Sequence, residues 1–290
     1  MNPDTPWPAP AKINLFLHVV GRRPDGYHLL QTVFQFLDHG DDIHVQARAD
    51  GVIRRLNDLP GVPAESDLVV RAARLLQERT GATAGADIEV HKRLPMGGGL
   101  GGGSSNAATV LVALNHLWGT GLDVDALAAL GLALGADVPV FVRGQAAWAE
   151  GVGEHLTPLT LPEPVYLVIH PGCEVPTAAV FQDPELTRDT PVITIQRLSL
   201  DACHNDCEPV TRRRFPAVAG ALDWLAVHAP ARMSGTGACI FAPFTSRAAA
   251  EAVGRQVPPA WRWFVAAGRN RSSLLDRLDA ATEFWGVAKR

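Results

Sequence analysis

The stretch Leu94-Pro-Met-Gly-Gly-Gly-Leu-Gly-Gly-Gly-Ser-Ser-Asn-Ala-Ala-Thr109 decides how this chain is read. Between Gly97 and Gly103 every residue but Leu100 is glycine. Each of these glycines gives up side-chain burial and costs backbone entropy on folding. Such a run is useful where backbone N–H groups must come very close to a ligand. Ser104, Ser105 and Asn106 follow as good N-cap residues, and the apolar spacing from Ala107 to Trp118 predicts an amphipathic helix. A glycine loop that empties into a helix N-terminus gathers unpaired N–H donors and the positive end of the helix dipole at one point. That is the physical make-up of a phosphate site.

Elimination narrows the kind of phosphate site. Gly97-x-Gly99-x-x-Gly102 satisfies the dinucleotide fingerprint formally, but that pattern alone is weak. The ribose-binding acid expected about twenty residues further on falls at Asp123 or Asp125. Both follow the turn Gly119-Thr120-Gly121 and read as caps of the next helix. A P-loop ends in Gly-Lys-Ser/Thr, whereas Gly103-Ser104-Ser105 has no lysine. A protein-kinase glycine loop lies in a hairpin backed by a lysine strand, not at the head of a helix. A flexible linker is not followed directly by a capped apolar helix.

With 290 residues the chain is long enough for one large or two modest domains with ample core. Its 47% hydrophobic and 19% charged content is that of a globular protein. A net charge of −4 gives no electrostatic footprint for nucleic acid, and Arg212-Arg213-Arg214 is too short a basic run to change that. The most apolar run, Leu127 to Val142, is broken by Gly131, Gly135, Asp137 and Pro139, so no membrane span is expected. The proline-rich start (MNPDTPWPAPAKIN) lacks a signal-like apolar core, and a cytoplasmic location is the expectation. Cys203-His204-x-x-Cys207 lacks the second pair that a zinc site needs. No obligate protein partner is evident.

Along the chain, strand and helix signals alternate without repeats. Strands are predicted at Lys12–Val20, Tyr27–Leu37, Asp42–Ala47 and Asp87–His91, with a turn at Gly21–Gly26. Helices are predicted at Asp67–Arg79 and Asp125–Leu134, and a hairpin from Val138–Arg143 and Ala146–Glu150. The connector Leu156–Pro164 suggests a boundary between a half spanning 1–160 and one spanning 161–290. The second half reads as a strand at Val165–His170, a helix around Ala217–Ala229, a strand at Gly237–Pro243 and a helix from Ser246. The mixture points to an α+β fold of two subdomains with a cleft between them.

Three more segments carry chemistry. Lys12 and Asn14, two apart in the first strand, project from one face. They suit either a ligand cleft or the polar face of an edge strand. Asp137, in Gly135-Ala-Asp-Val-Pro-Val-Phe141, is costly to bury unless paired or functional, and Lys12 is its counter-ion candidate. There it would position or deprotonate an alcohol, or serve only as a cap of the next element. Ser234-Gly235-Thr236-Gly237 is a second small-residue loop, either a plain turn or a partner closing on phosphates from the side opposite the first loop.

The order of these pieces resembles the GHMP small-molecule kinases. The resemblance runs nearly end to end, from Pro8-Ala-Pro-Ala-Lys-Ile-Asn14 to Asn270. Arg23-Pro-Asp-Gly-Tyr-His28, the long triple-Gly, Leu, triple-Gly loop, Ala149–Glu154, Pro176–Leu186 and Asn205–Glu208 are similar to the branch whose substrate carries a cytidine diphosphate. The resemblance implies a two-domain fold of this family with the active site in the interdomain cleft. It also implies ATP-dependent phosphorylation of the 2-hydroxyl of a cytidine-diphosphate-linked polyol, in the non-mevalonate route to isoprenoid precursors. On that resemblance Lys12 and Asp137 are catalytic. Pro95, Met96, Gly97, Gly98, Gly99, Leu100, Gly101, Gly102, Gly103, Ser104 and Ser105 hold ATP. Asn14, Ser234, Gly235, Thr236 and Gly237 line the substrate side, Tyr27 and His28 recognise cytosine, and Phe181 sandwiches the base. Magnesium is expected with ATP, and Ser105 is its candidate ligand.

Overall fold

Apolar residues recur through Trp7–Arg22 and His28–Arg48, and in the computed structural model, which describes residues 5–288 (side chains to 283), these become two long antiparallel strands, β1 and β2. The ends of the two halves outlined above, residues 1–4 and 289–290, lie outside the described residues. The remaining elements of the first half are β3 (Ile53–Arg55), α1 (Leu68–Thr80), β4 (Gly85–His91), α2 (Gly102–Trp118), α3 (Val124–Leu134), α4 (Val138–Arg143), β5 (Ala147–Glu150) and β6 (His155–Pro158). There follow β7 (Val165–His170), α5 (Thr177–Phe181), α6 (Cys207–Arg214), α7 (Pro216–Ala226), β8 (Arg232–Met233), β9 (Ile240–Phe244), α8 (Arg247–Gly254), β10 (Arg262–Arg269) and α9 (Ser273–Ala288). The fold is α+β. One sheet runs in the order β3-β4-β2-β10-β7-β9-β8, with β1 and β5 also paired to β2, and β6 paired to β5.

Three apolar clusters hold this together. Phe34, Phe36, Ile43 and Ile88 pack under Val69, Leu76, Val110, Leu111 and Phe141, joined from the far end of the chain by Leu274 of α9. Leu167, Ile169 and Ile240 pack against Val210, Leu222 and Leu225. Between them lie Ile13, Phe16, Leu37, Trp148, Tyr166 and Phe241. Each such side chain, fully buried, contributes roughly 1.5–3 kcal/mol. That is why β1, whose interior carries Lys12 and Asn14, can tolerate two polar groups at its centre. Among the described residues no helix is long and apolar enough to cross a membrane.

The structure corrects three local expectations. α2 begins at Gly102 rather than Ala107, capped by Gly101 in the left-handed region (φ 70°) without a side-chain cap. The glycines enter the helix because Ser105 and Asn106 use their side chains elsewhere. Val138–Arg143 is a helix, not a strand: Pro139 lies in its first turn, where a fixed φ and a missing N–H cost nothing. A short apolar run does not by itself distinguish the two. The strands expected at Tyr27–Leu37 and Asp42–Ala47 are one strand, β2, which begins at His28. Gly40 keeps that strand continuous by letting β1 pass close, since a Cβ there would lie 2.3 Å from the Ala9 carbonyl oxygen.

Candidate active site

Lys12 lies where β1 bulges between Pro10 and Lys12, and its N–H is free to donate to the Leu100 carbonyl at 3.0 Å. The residue is 3% exposed. The ammonium donates to Asn14 Oδ1 at 2.6 Å, stands 3.2 Å from Asp137 Oδ2 and lies over the Phe34 ring at 5.1 Å. Asn14 is fixed in turn by Thr32, whose hydroxyl accepts from Asn14 Nδ2 at 3.0 Å and donates to the Phe16 carbonyl. Lys12, with Asn14 two residues on, therefore meets Asp137 from far along the chain. Asp137 occupies the N-cap position of α4 but accepts no capping hydrogen bond. Its side chain is 34% exposed, so it is the lysine that is buried while the carboxylate opens on a cavity.

The glycine loop is clamped between β1 and the second small-residue loop. Ser234 Oγ donates to the Gly99 carbonyl at 2.8 Å and accepts from the Asn14 N–H at 3.1 Å. Ala238 and Cys239 donate to the carbonyls of Gly97 and Gly98 at 3.2 and 3.0 Å. The two loops thus lie directly against each other rather than facing one another across a gap. Close approach explains the glycines best at two points. A Cβ on Gly99 would lie 2.2 Å from the Ser234 carbonyl oxygen, and one on Gly101 would lie 2.7 Å from the Phe141 ring and 3.1 Å from Lys12 Cε. With no side-chain cap on α2, the N–H groups of its first turn remain available as donors.

A cavity of about 730 Å³ runs from Lys12, Gly99, Ser104 and Asp137 past Gly235 and Thr236 to Tyr27, His28 and Phe181. Ser234 is fully buried behind this surface. Ser105 is also fully buried, its hydroxyl donating to the Pro10 carbonyl at 2.7 Å, whereas Ser104 lines the cavity. Leu100 is a core residue, while Met96 is exposed. At the far end the His28 ring packs against Phe181 with centroids 5.0 Å apart. The His28 pKa lies below 6.5, first because burial penalises the charged ring and then because Arg188 and Arg22 are near.

Several residues of the site had no role assigned from the sequence. Asp41, with its side chain fully buried, accepts from the N–H groups of Arg93 (2.8 Å) and Leu94 (2.9 Å), from Asn106 Nδ2 (2.9 Å) and from Lys92. It pins the entrance of the glycine loop to the first turn of α2. The pair Asp41-Asp42 inside a strand-like segment was the available signal. Asn205 Nδ2 donates to the Met233 and Gly235 carbonyls at 2.9 and 2.8 Å and shapes the second loop. Arg188 reaches His28, and nothing in its sequence context points there.

Models of known families match the chain in two places: the GHMP kinases N terminal domain over residues 67–145 and the GHMP kinases C terminal region over residues 191–262. The chain is 62% identical to a 4-diphosphocytidyl-2-C-methyl-D-erythritol kinase of Halorhodospira halophila, over 92% of this chain and 94% of that protein. It is 62% identical to the protein of the same name from Alkalilimnicola ehrlichii, over 94% of each. A crystal structure of a 4-(cytidine 5'-diphospho)-2C-methyl-D-erythritol kinase superposes with a TM-score of 0.79 at 34% identity, covering 90% of this chain and 98% of that one.

Proposed function

This chain belongs to the GHMP kinases, in the branch of its 4-diphosphocytidyl-2-C-methyl-D-erythritol kinase relatives, and from that premise we propose the reaction and the residues that carry it. It is a small-molecule kinase that uses ATP as co-substrate, and it transfers the γ-phosphoryl group to the 2-hydroxyl of 4-diphosphocytidyl-2-C-methyl-D-erythritol. This is a step toward isoprenoid precursors by the non-mevalonate route, carried out in the cytoplasm. The observation that carries the reading is a single cavity. At one end it holds the Lys12–Asp137 pair beside a glycine loop, and at the other the rings of Tyr27, His28 and Phe181.

In the proposed mechanism the triphosphate lies on the backbone of Gly97–Gly103 and the uncapped N-terminus of α2. Asp137, open to the cavity, takes or orients the proton of the acceptor hydroxyl. Lys12, held by Asn14, pairs with that carboxylate and meets the charge that builds on the transferring group. Phosphoryl transfer needs mainly alignment and charge stabilisation, which a buried, pre-oriented lysine supplies. Asn14, Gly235 and Thr236 border the polyol, and Ser234 and Gly237 hold the wall behind it. Tyr27 and Phe181 flank the cytosine.

Among the described residues no three His, Cys, Asp or Glu side chains stand together as a metal cage. The Ser105 hydroxyl, the expected ligand, is buried and donates to the Pro10 carbonyl, so magnesium would be held chiefly by nucleotide phosphates, with Ser104 and Asp137 the oxygen-bearing side chains that line the cavity there. Magnesium held there would neutralise phosphate charge. The test is ADP release in a coupled assay with magnesium–ATP and 4-diphosphocytidyl-2-C-methyl-D-erythritol. Turnover is expected. Folded, ATP-binding protein that phosphorylates mevalonate or homoserine instead would keep the fold and overturn the substrate.

A further inference from the structure

One guanidinium joins the two parts of the proposed base clamp. His28 comes from the start of β2 and Phe181 from the end of α5. Arg188 stands between them. Its Nε donates to His28 Nε2 at 3.1 Å, and its Nη2 donates to the carbonyls of Phe181 (2.9 Å) and Asp183 (2.7 Å). Its Nη1 donates to the Leu186 carbonyl at 3.0 Å. Three backbone carbonyls thus fix the guanidinium in place before any ligand arrives.

The chemistry of that contact leaves no choice of tautomer. A guanidinium is always protonated and has no acceptor, so His28 Nε2 must present its lone pair. A neutral imidazole carries one N–H, and here it sits on Nδ1. No group among the described residues accepts a hydrogen bond from Nδ1, on a side chain that lines the cavity. Burial and the neighbouring arginines keep the ring in its neutral form.

We propose that Arg188 is a positioning residue that locks His28 as an Nδ1–H donor and so makes the pocket select cytosine over uracil. This rests on the reading of His28 as the residue that meets the base. On its Watson–Crick edge cytosine offers a lone pair at N3, where uracil offers an N–H. A fixed ring donor pairs with the first and opposes the second. A ring free to change tautomer accommodates both. The same guanidinium holds the Phe181 backbone, so donor and stacking face are set together.

The experiment is competition in the ADP-release assay, with cytidine 5'-diphosphate and uridine 5'-diphosphate as rivals of the diphosphocytidyl substrate. The wild type is expected to bind the cytidine nucleotide at least about tenfold more tightly, the equivalent of one good hydrogen bond. In Arg188→Met the preference should shrink to roughly two- or threefold, with KM for ATP unchanged. Equal weakening of both nucleotides, with the preference intact, would show Arg188 to be merely structural and overturn the inference while leaving the clamp. Failure of the cytidine nucleotide to compete in the wild type would remove the clamp itself. Should Arg188→Met not fold, nitrogen-15 NMR of wild-type His28, assigned by difference against His28→Gln, decides the matter. A single Nδ1–H tautomer is expected, and a mixture or an Nε2–H ring would sink the proposal.

Discussion

The two ends of the cavity are built from different materials. At the phosphate end the working groups are backbone amides and a lysine that is 3% exposed, held by Asn14, Asp137 and the Ser234 loop. At the base end Tyr27 is 62% exposed, and the His28 and Phe181 rings pack on each other with Arg188 bridging the segments that carry them. The first end is pre-formed and intolerant, as suits charge stabilisation that must be in place before phosphoryl transfer. The second is a set of side chains from β2 and α5 and the segments beside them, held in register by Arg188 and specific. Chemistry is placed on the end built from backbone and a buried lysine, and recognition on the end built from side chains.

The comparison breaks most visibly if the rigid end tolerates change. Asp137→Asn keeps size and removes the charge, and it is expected to lower kcat by roughly a hundred- to ten-thousand-fold, the worth of a positioned base. Affinity for ATP, measured by titration calorimetry, should stay nearly intact. A kcat within a few fold of wild type would leave Lys12 and the phosphate loop to catalyse by positioning alone. Next in size, Gly99→Ala forces a Cβ against the Ser234 carbonyl at a residue with φ 71°. The left-handed backbone and the overpacking together should cost about 2–4 kcal/mol in urea unfolding. A loss below about 1 kcal/mol would show the loop to be looser than its packing implies.

What could be read from the sequence follows the same division. The glycine run announced itself because no core explains six such residues, and Lys12, Asn14 and Asp137 stood out as polar groups in apolar surroundings. The helices with Asp67, Asp123 and Ser246 before them were legible because each side chain does accept from a first-turn N–H. α4 was misread because a six-residue apolar run has no decisive period. Ser104, Ser105 and Asn106 misled because a good cap residue is also a good tertiary hydrogen-bonder, and Ser105 and Asn106 are tied to Pro10 and Asp41. At the base end the pattern itself said little. Tyr27, His28 and Phe181 came only from family resemblance, and Asp41 and Arg188 not at all, since their roles depend on partners far away in sequence.

Phe181→Ala sharpens the contrast from the recognition side. A ring stacked on a base contributes on the order of 1–3 kcal/mol, so KM for the diphosphocytidyl substrate should rise about five- to more than a hundredfold. The ring is partly buried against the second apolar cluster, so the variant also loses some stability. The decisive readout is therefore the split between ligands. KM for ATP is expected to hold within about twofold, the margin of a change that spares the phosphate end. Equal losses for both substrates would mean that the two ends are not independent and that the damage is general.

The smallest expected effect is on pH. His28 has its pKa lowered from 6.5 by burial and then by the charges of Arg188 and Arg22, so the neutral ring is the native form at and above neutrality. Protonation on Nε2 removes the lone pair that Arg188 donates to and sets a second cation against it. Affinity for the diphosphocytidyl substrate should therefore be level above 6.5 and decline only as pH falls through the depressed pKa, with a midpoint below 6.5. The pH profile of KM for ATP, recorded beside it, controls for Asp137 and for the nucleotide phosphates. A midpoint above 6.5 would mean that a carboxylate rather than an arginine governs His28. A profile that disappears in His28→Gln while that for ATP persists would assign the titration to the base end alone.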